Sequence, residues 1–315
     1  MSAPPAGELE EEALAIRLSA ELDGHRADEA VLRSFPDFSR KEVKALFEAG
    51  RVRVDGRRVK KGDRVAGGAE LRLAAPLLAI APDASLPLRV LFESADFVIV
   101  DKPAGLPTAP VVRSEPRSLA AALLARYPEM RGVGFRAREP GLVHRLDTET
   151  SGVVLAARHA AAFTAARELF EASRIEKRYL ALTEPGISAS GQLATWLGPH
   201  PADARRVQVY TEAPEAYAKH ARTEYRVVER GPRFWLVEVT VASAFRHQVR
   251  AHLAHLGYPI AGDAVYGGKP APELGSRHAL HGSYIAWAGD AVRSGFRAEA
   301  SLPLELGALL RGGGS

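Results

Sequence analysis

Over the first eighty residues, the hydrophobic positions change from helical to strand spacing. A first helix is indicated by apolar residues three and four positions apart, namely Ala27, Ala30, Val31 and Phe35. Pro36 ends that helix, because proline cannot continue the helical hydrogen-bond pattern. A second helix is predicted to begin at Ser39, which has capping-box spacing to Glu42, and to end at Gly50. The folded part of the chain is therefore expected to begin with two short helices.

A small hairpin is predicted after the second helix. In the segment VRVDG at 52–56, valines alternate with arginine, and Asp-Gly is a preferred two-residue hairpin turn. The glycine pair at 67–68 predicts another turn before a strand with alternating leucines. Two helices and a hairpin would thus form a compact unit at 25–75. The preceding residues, 1–24, are mostly small and acidic and are expected to be disordered.

The rest of the chain mixes strand and helix patterns without regular alternation. A Pro-bearing stretch at 76–88 is predicted to be a linker, and 89–311 to be a second domain. Strands are predicted for RVLF, FVIVDK, VVLAA, RYLAL, TEYRVVER and FWLVEVTV, in that order. The continuous apolar run VVLAA at 153–157 is typical of a central strand, and FRHQVRAHLAHLG is predicted to form a helix that ends at Gly257. This pattern favours an α+β fold with a mixed or antiparallel sheet.

Charge is unevenly distributed along the 315 residues, whose net charge is +4. Residues 24–75 carry thirteen Lys or Arg against eight Asp or Glu, whereas residues 1–23 are acidic. The cations cluster on the second helix and around the hairpin: Arg40, Lys41, Lys44, Arg51, Arg53, Arg57, Arg58, Lys60 and Lys61. Such a surface can contact several phosphates of a nucleic acid, although charge alone does not separate that role from a solvated surface.

Composition excludes several kinds of site. The chain has no cysteine, which excludes disulfides and thiolate metal sites. No apolar run has the roughly 18 residues that a membrane span needs, and the N-terminus lacks the pattern of a secretory signal. We therefore expect a cytoplasmic protein without a membrane partner. Glycine motifs for nucleotide phosphates are missing, which predicts an activity without a cofactor. His247, His252 and His255 share one predicted helix, but their spacing spreads them around it, so no metal site is predicted.

The segment GLVHRLDTETSGVVLAA at 141–157 places polar residues between two apolar runs. A loop held by the strand that follows would present Asp147 rigidly, which is a common way to build a catalytic site. A surface turn in which Asp147 caps a backbone N–H is, however, the more frequent arrangement for such a composition. The residues alone leave both interpretations open.

Resemblance to a known family decides between them. GLVHRLDTETSGVVLAAR resembles the signature of RluA-type RNA pseudouridine synthases around the family's active-site aspartate. VIVDKPAGLPT, EKRYLAL, HQVRAHLAHLGYPIAGDAVYG and RHALHGSYIAW resemble four further motifs of that family, in family order. SRKEVKALFEAGRVRVDGRRVKKGDRV at 39–65 resembles the αL-type RNA-binding module of a small-subunit ribosomal protein. The resemblance implies a pseudouridine synthase domain preceded by a small helix-helix-hairpin RNA-binding domain.

The resemblance also implies roles for individual residues. Asp147 would attack the anomeric carbon of the ribose or, in a competing proposal, remove a proton from the neighbouring ribose carbon. Tyr179 would pack on the uracil and assist proton removal from C5, and Arg250 would pair with Asp147 and keep it ionised. Contacts that support the substrate or bind RNA are implied for Arg145, His144, Leu253, Arg246 and Lys102, and for Arg40, Lys41, Lys44, Arg51, Arg57, Arg58 and Lys60 of the basic unit.

Two departures from the family pattern concern the RNA contacts. The chain has SAFRHQVR at 243–250 where the family usually has TGRTHQIR, so Phe245 replaces an arginine and Arg246 offers a cation one position later. Ala109-Pro110 stands where a His-Pro is frequent. Asp147, Tyr179 and Arg250 are retained, so we expect the chemistry to survive these changes.

The predicted partner is structured RNA, with large-subunit ribosomal RNA preferred over transfer RNA because of the basic unit. No obligate protein partner is indicated. One alternative is an RNA-binding ribosome assembly factor that has lost catalysis. Another is a glycosidase acting on nucleosides, which would need a second placed carboxylate.

Overall fold

The chain divides into two units, for which a computed structural model describes residues 13–35, 38, 40–74, 80–110, 117–134, 136, 138–214, 217–242, 245–291 and 293–312. The first unit comprises Met1–Ala79 with Phe135–Arg138, and the second comprises Ile80–Gly134 with Glu139–Ser315. Within the described part of the chain, no helix is both long enough and apolar enough to cross a membrane.

The first unit packs two helices against a four-stranded antiparallel sheet. Its elements are β1 (Ala13–Arg17), α1 (Ala27–Ser34), α2 (Arg40–Glu48), β2 (Val52–Val54), β3 (Arg57–Arg58) and β4 (Glu70–Ala74), with strand order β1-β4-β2-β3. The apolar faces of both helices are buried together with Leu71 and Leu73 of β4, which confirms the two predicted helices and the following strands. Asp55 and Gly56 have φ values of 46° and 76°, as the predicted hairpin turn requires. Ser39, the predicted helix cap, lies outside the described residues.

The N-terminal segment differs from the expectation of disorder for residues 1–24. Residues 13–17 form β1, which pairs with β4 from Ala13 opposite Ala74 to Arg17 opposite Glu70. Leu18 and Leu22 are then buried in the core of the unit. The acidic composition hid this strand because the sequence ALAIR is short and its neighbours are charged. Residues 1–12 lie outside the described residues.

Most of the basic residues of the first unit are exposed, as a cationic surface requires. The exposed side chains are Arg40, Lys44, Arg53, Arg57, Arg58, Lys60 and Lys61, while Arg51 is half-buried and the Lys41 side chain is outside the described part. Lys44 forms an ion pair with Glu48 at 3.6 Å, and Lys61 with Asp28 at 3.7 Å. Exposed pairs of this kind are weak, so they can exchange for contacts with an external anion.

The second unit is built on a mixed ten-stranded sheet, which confirms the predicted α+β class. Its strands are β5 (Arg89–Glu93), β6 (Phe97–Lys102), β7 (Ser151–Ala157), β8 (Glu176–Thr183), β9 (Ser190–Pro199), β10 (Val207–Tyr210), β11 (Lys219–Arg230), β12 (Trp235–Val241), β13 (Leu280–Gly289) and β14 (Ser294–Glu299). Its helices are α3 (Leu119–Arg126), α4 (Ala160–Glu171), α5 (Gln248–His255) and α6 (Leu304–Leu310). The order is β10-β9-β11-β12-β8-β13-β7-β6-β5, with β14 beside β13.

Part of the predicted linker belongs to the second unit. Leu86 is buried, and the backbone N–H of Asp83 donates to Ala121 O at 3.0 Å. Residues 80–88 are therefore anchored to this unit at Ile80, Asp83, Leu86 and Leu88, while the residues between these points stay exposed. Residues 76–79 of the predicted linker lie outside the described residues.

The centre of the large sheet requires two glycines to approach each other. β7 is buried along its whole length, as its apolar sequence predicted, and it pairs in parallel with β13 through Gly152 opposite Gly282. Gly152 has φ 119°, and a Cβ there would overlap the backbone of Gly282. Only glycine fits this contact. It lies directly after the loop that carries Asp147, so Gly152 fixes where the chain enters the sheet after that loop.

We expect Gly152→Ala to destabilise the second unit by about 3 kcal/mol or more, because it adds steric overlap to an unfavourable positive φ. Gly257→Ala is the matched control. Gly257 has φ 85° but open space around its missing Cβ, so only the backbone strain of about 1 kcal/mol applies. All three tryptophans, Trp196, Trp235 and Trp287, lie in the second unit, so denaturant unfolding followed by their fluorescence measures both changes. Equal destabilisation by the two variants would contradict the close approach.

Candidate active site

The loop that carries Asp147, residues 143–150, is anchored first by the segment that follows β6. Lys102 is fully buried, and its ammonium donates to Thr148 O at 3.0 Å, Leu106 O at 2.7 Å and Pro103 O at 2.8 Å. The N–H of Gly105 also donates to Thr148 O, at 2.9 Å. These bonds join the KPAG segment to the residue after Asp147 and hold its backbone.

The residues before Asp147 are fixed by side chains inside the unit. Thr108 donates to Leu146 O at 2.6 Å and accepts from the Leu146 N–H at 3.2 Å. His144 Nε2 accepts from the N–H of Leu155 in β7 at 3.0 Å. Burial lowers the pKa of His144 to about 3, so the ring is neutral and remains an acceptor. Asp147 is therefore held on both sides by bonds that do not use its own side chain.

The far end of the loop is fixed by the segment RHALH at 277–281. Thr150 Oγ1 lies 2.8 Å from His278 Nε2. Arg277 donates to Ser151 Oγ at 2.6 Å, and Ser151 Oγ lies 2.8 Å from His281 Nδ1. Thr150, Ser151, Arg277, His278 and His281 are all buried. Two segments that are 130 residues apart in sequence thus meet as one polar network at the start of β7 and β13.

Asp147 shares one arginine with a second carboxylate. Arg250 Nη1 donates to Asp147 Oδ2 at 2.7 Å, while its Nε and Nη2 donate to Asp263 at 2.7 and 2.9 Å. The Asp263 side chain is 1% exposed and Arg250 is 7% exposed, whereas Asp147 is 30% exposed. Asp263 also accepts from the N–H groups of Val265 and Tyr266. Asp263 is therefore occupied by the protein, and Asp147 is the carboxylate that remains accessible.

The electrostatic environment keeps Asp147 ionised. Burial alone would raise the pKa of Asp147, but His247 and Arg250 more than offset it, and the pKa lies below its ordinary value. Burial lowers the pKa of His247 to about 4, so this ring is neutral near pH 7. At neutral pH, it is therefore the permanent positive charge of Arg250 that lowers the pKa of Asp147. The arrangement presents a carboxylate, and not a carboxylic acid, to a substrate.

Tyr179 reaches the same place from the next strands of the sheet. It lies on β8 opposite Gly282 of β13, which in turn lies opposite Gly152 of β7. A methyl group on Gly282 would lie 3.6 Å from Tyr179 Cε1 and 3.7 Å from Leu146 Cδ1. Burial first, and then the charge of Asp147, raise the pKa of Tyr179 to about 12. A protonated phenol thus lies beside the ionised Asp147.

The remaining predicted contact residues divide into surface and interior positions. Arg145 and Arg246 are exposed, Arg145 beside Glu139 at 3.0 Å and Arg246 donating to the carbonyls of Ala204 and Arg205. Leu253 is fully buried in the core cluster against which Tyr179 packs, so it can support the site but cannot touch RNA. Phe245 is half-buried and packs against a cluster that includes Tyr266. Ser243 and Ala244 lie outside the described residues.

For two positions the structure replaces the predicted RNA contact with an internal role. The prediction for Lys102 is wrong, because a fully buried ammonium with three carbonyl partners cannot bind an external phosphate. His144 likewise uses its Nε2 on Leu155 and stacks beside Phe170, with ring centroids 5.3 Å apart. Both residues hold the Asp147 loop through hydrogen bonds within the protein. Their side-chain chemistry resembles that of contact residues, which is why the sequence did not reveal burial.

Sequence reasoning missed His247 and Asp263 as members of the site. His247 Nε2 lies 3.5 Å from Asp147 Oδ2. The backbone of His247, directly before α5, is left-handed with φ 56°. It therefore does not lie on a helix with His252 and His255, as had been predicted. The only available signal was that both residues fall in the segment HQVRAHLAHLGYPIAGDAVYG. Across the described residues, no group of three or more His, Asp or Glu is arranged to hold a metal ion.

Comparison with known proteins identifies two family matches along the chain. A family model described as RNA pseudouridylate synthase matches residues 96–255, which include Asp147, Tyr179 and Arg250. A second model, the S4 domain, matches residues 26–71. The S4 match lies within the first unit, and the synthase match lies almost entirely within the second.

Individual relatives extend over nearly the whole sequence. An uncharacterized RNA pseudouridine synthase of Chloroflexus aurantiacus is 35% identical over 314 residues, 96% of this chain and 94% of that protein. The ribosomal large subunit pseudouridine synthase D of Escherichia coli is 30% identical over 260 residues, 82% of this chain and 77% of that protein. The solved structure of human RNA pseudouridylate synthase domain containing 1 shares the fold, with a TM-score of 0.55 at 24% identity over 70% of this chain and 86% of that one. The chain therefore belongs to the RNA pseudouridylate synthase family, with an S4 domain in front of the synthase fold.

Proposed function

We propose that this protein isomerises specific uridines to pseudouridine in large-subunit ribosomal RNA, with Asp147 as the catalytic carboxylate. The observation that carries the proposal is the accessible, ionised Asp147 beside Tyr179 and Arg250 within the matched family region. The choice of RNA is supported by relatives that are named for the large ribosomal subunit and by the exposed cations of the S4 domain.

The reaction needs no redox change and no added group. The bond between uracil N1 and ribose C1′ breaks, the uracil turns, and C5 bonds to C1′. The proton from C5 must then leave and N1 must gain one, so atoms balance without a cofactor. Asp147 either attacks C1′ and is later displaced, or removes the proton on C2′ and returns it. Both routes require an ionised carboxylate, which Arg250 provides by lowering the pKa of Asp147.

Tyr179 is proposed to contact the uracil base. With a pKa of about 12, its hydroxyl stays protonated near neutral pH, so phenolate is scarce. This favours packing and hydrogen bonding over direct removal of the C5 proton by the phenolate. No described residue hydrogen-bonds to the Tyr179 hydroxyl, which leaves it available for the base.

The target uridine must leave its base stack to reach Asp147. The exposed Arg145, two residues before Asp147, is assigned to holding the extruded nucleotide or its phosphate. Its pair with Glu139 is 57% exposed on the arginine side and can therefore open at low energetic cost. The cations of the S4 domain would supply affinity for the phosphate backbone without sequence choice.

The alternatives are less well supported. A nucleoside glycosidase needs a second available carboxylate as an acid, whereas Asp263 is buried and held by Arg250 and two backbone N–H groups. An inactive assembly factor would not need Asp147 to be kept ionised. Transfer RNA remains the alternative substrate, since the S4 domain reads phosphates and not sequence.

The test uses purified protein and three RNA pools from cells that lack it: large-subunit ribosomal RNA, small-subunit ribosomal RNA and transfer RNA. We expect new pseudouridine at discrete positions of the large-subunit RNA only. Conversion of transfer RNA alone would show that the substrate is transfer RNA and would leave the proposed mechanism unchanged. The absence of conversion in all three pools would contradict the proposal.

The pH dependence of the rate should lack a histidine step. The pKa values of His247, His278 and His144 are lowered to about 4, about 4 and about 3, so all three rings are neutral until the pH falls well below 6. Lys102, whose pKa burial lowers to about 7, only gains protons on acidification and keeps its three carbonyl contacts. We expect the single-turnover rate not to fall between about pH 7.5 and about pH 5. A decline centred near pH 6.5 would contradict this result.

A further inference from the structure

The two oxygens of Asp147 have different environments. Oδ2 accepts from Arg250 Nη1 at 2.7 Å and lies 3.5 Å from His247 Nε2. No described residue donates a hydrogen bond to Oδ1. One oxygen is therefore held by the protein and the other is open to a substrate.

His247 is itself held by a tyrosine. Its Nδ1 lies 3.1 Å from the hydroxyl of Tyr266, and that hydroxyl accepts from the N–H of Val207 in β10 at 2.8 Å. Because Val207 can only donate, the phenol proton is free to go to Nδ1. The neutral imidazole then carries its proton on Nε2, which faces Asp147 Oδ2. The opposite tautomer would place a nitrogen lone pair against a carboxylate.

The backbone of His247 is the second observation that points to a function. Its φ of 56° is one of three positive φ values among the described non-glycine residues, and such a conformation is unfavourable for a histidine. It places His247 immediately before α5, three residues ahead of Arg250. Both side chains thereby reach the same oxygen of Asp147. The side chain is 10% exposed, so little solvent competes with this contact.

We propose that His247 is a positioning residue that, as the neutral Nε2–H tautomer set by Tyr266, orients Asp147 so that Oδ1 is the oxygen that reacts. The inference rests on the proposed catalytic role of Asp147. His247 does not exchange a proton with the substrate. It limits rotation of the carboxylate about its terminal bond, which one hydrogen bond from Arg250 alone does not do.

Substitutions at His247 distinguish this role from a structural one. Gln places an N–H where Nε2 lies, whereas Asn places its amide near Nδ1. With large-subunit ribosomal RNA from cells lacking the protein, we expect His247→Asn to lower kcat about 10-fold to 100-fold, because it removes the group 3.5 Å from Asp147 Oδ2 and a misplacement of a reacting group by about 1 Å can cost about 10²-fold in rate. KM should change by less than about twofold, and His247→Gln should recover most of kcat. His255→Asn, on the exposed side of α5, is the matched control and should equal wild type.

Tyr266→Phe tests the tautomer through a double-mutant cycle. Removing the hydroxyl should lower kcat several-fold in the wild-type background but not in the His247→Gln background, because Gln has no tautomer to set. Additive losses would overturn the inference. So would an unchanged kcat in His247→Asn, or equal damage in folded His247→Gln and His247→Asn.

Nitrogen-15 NMR of the histidine rings decides the same point without any turnover. The resonance lost in His247→Asn identifies His247, and the inference requires a protonated Nε2 and an unprotonated Nδ1 at pH 7. A protonated Nδ1 would overturn the inference even if the enzyme is active. Absence of turnover in wild type, with the expected tautomer present, would instead count against the proposed function.

Discussion

Asp147→Asn should abolish pseudouridine formation while RNA binding and the fold are retained. Asn has the size of Asp and can still accept from Arg250 Nη1, and Arg250 keeps its two bonds to Asp263. The loss is therefore one of charge and nucleophilicity. We expect the single-turnover rate to fall at least about 10³-fold, as when a catalytic nucleophile or base is removed. RNA affinity, measured by filter binding at fixed salt, should be unchanged.

Asp147→Glu is the informative companion to this variant. It keeps the negative charge but moves the carboxylate by one methylene group, and a misplacement of about 1 Å can cost about 10²-fold in rate. We expect a rate far below wild type but above that of Asp147→Asn. Retention of more than a tenth of wild-type activity by Asp147→Asn would mean that Asp147 is not the reacting group.

Arg250→Met should remove both stability and activity, for different reasons. Asp263, 1% exposed, would lose its cation and remain as a buried charge, which typically costs about 3–5 kcal/mol. Asp147 would lose the charge that lowers its pKa, so burial would favour the protonated form. Tryptophan fluorescence during denaturant unfolding measures the first effect, and the single-turnover rate measures the second.

The double variant Arg250→Met/Asp263→Asn separates the two effects. Asn at 263 removes the unpaired charge and can still accept from the N–H groups of Val265 and Tyr266. We expect most of the lost free energy of unfolding to return while the rate stays low. Recovery of the rate together with stability would show that Arg250 acts only through the fold and not on Asp147.

Local sequence patterns were sufficient for several elements of each unit. The helices α1 and α2, the Asp55-Gly56 turn, the central strand β7 and the end of α5 before Gly257 each follow from spacing or from a turn residue. These features depend on a few neighbouring residues. The strand at 13–17 was missed because its stability comes from pairing with β4, 53 to 61 residues away, and not from its own composition.

For the site, the resemblance identified the residues and the structure determined how they are arranged. Asp147, Tyr179 and Arg250 come from three distant segments. Nothing in their local sequence reports the pairing of β8, β13 and β7 that brings Tyr179 near the Asp147 loop, or the contact of Arg250 on α5 with Asp147. The burial of Lys102, the bond of His144 to Leu155, and the second carboxylate Asp263 behind Arg250 depend on the same long-range packing. A motif that contains a lysine or a histidine does not show whether that side chain faces RNA or the protein interior.

Pseudouridine mapping of total RNA should distinguish cells that carry wild-type protein from cells that carry Asp147→Asn. Both proteins should be present at equal abundance, since the substitution leaves the packing intact. We expect discrete sites in large-subunit ribosomal RNA to be pseudouridine in the first cells and uridine in the second. Identical maps in the two cell lines would contradict this expectation and would favour an RNA-binding role without catalysis.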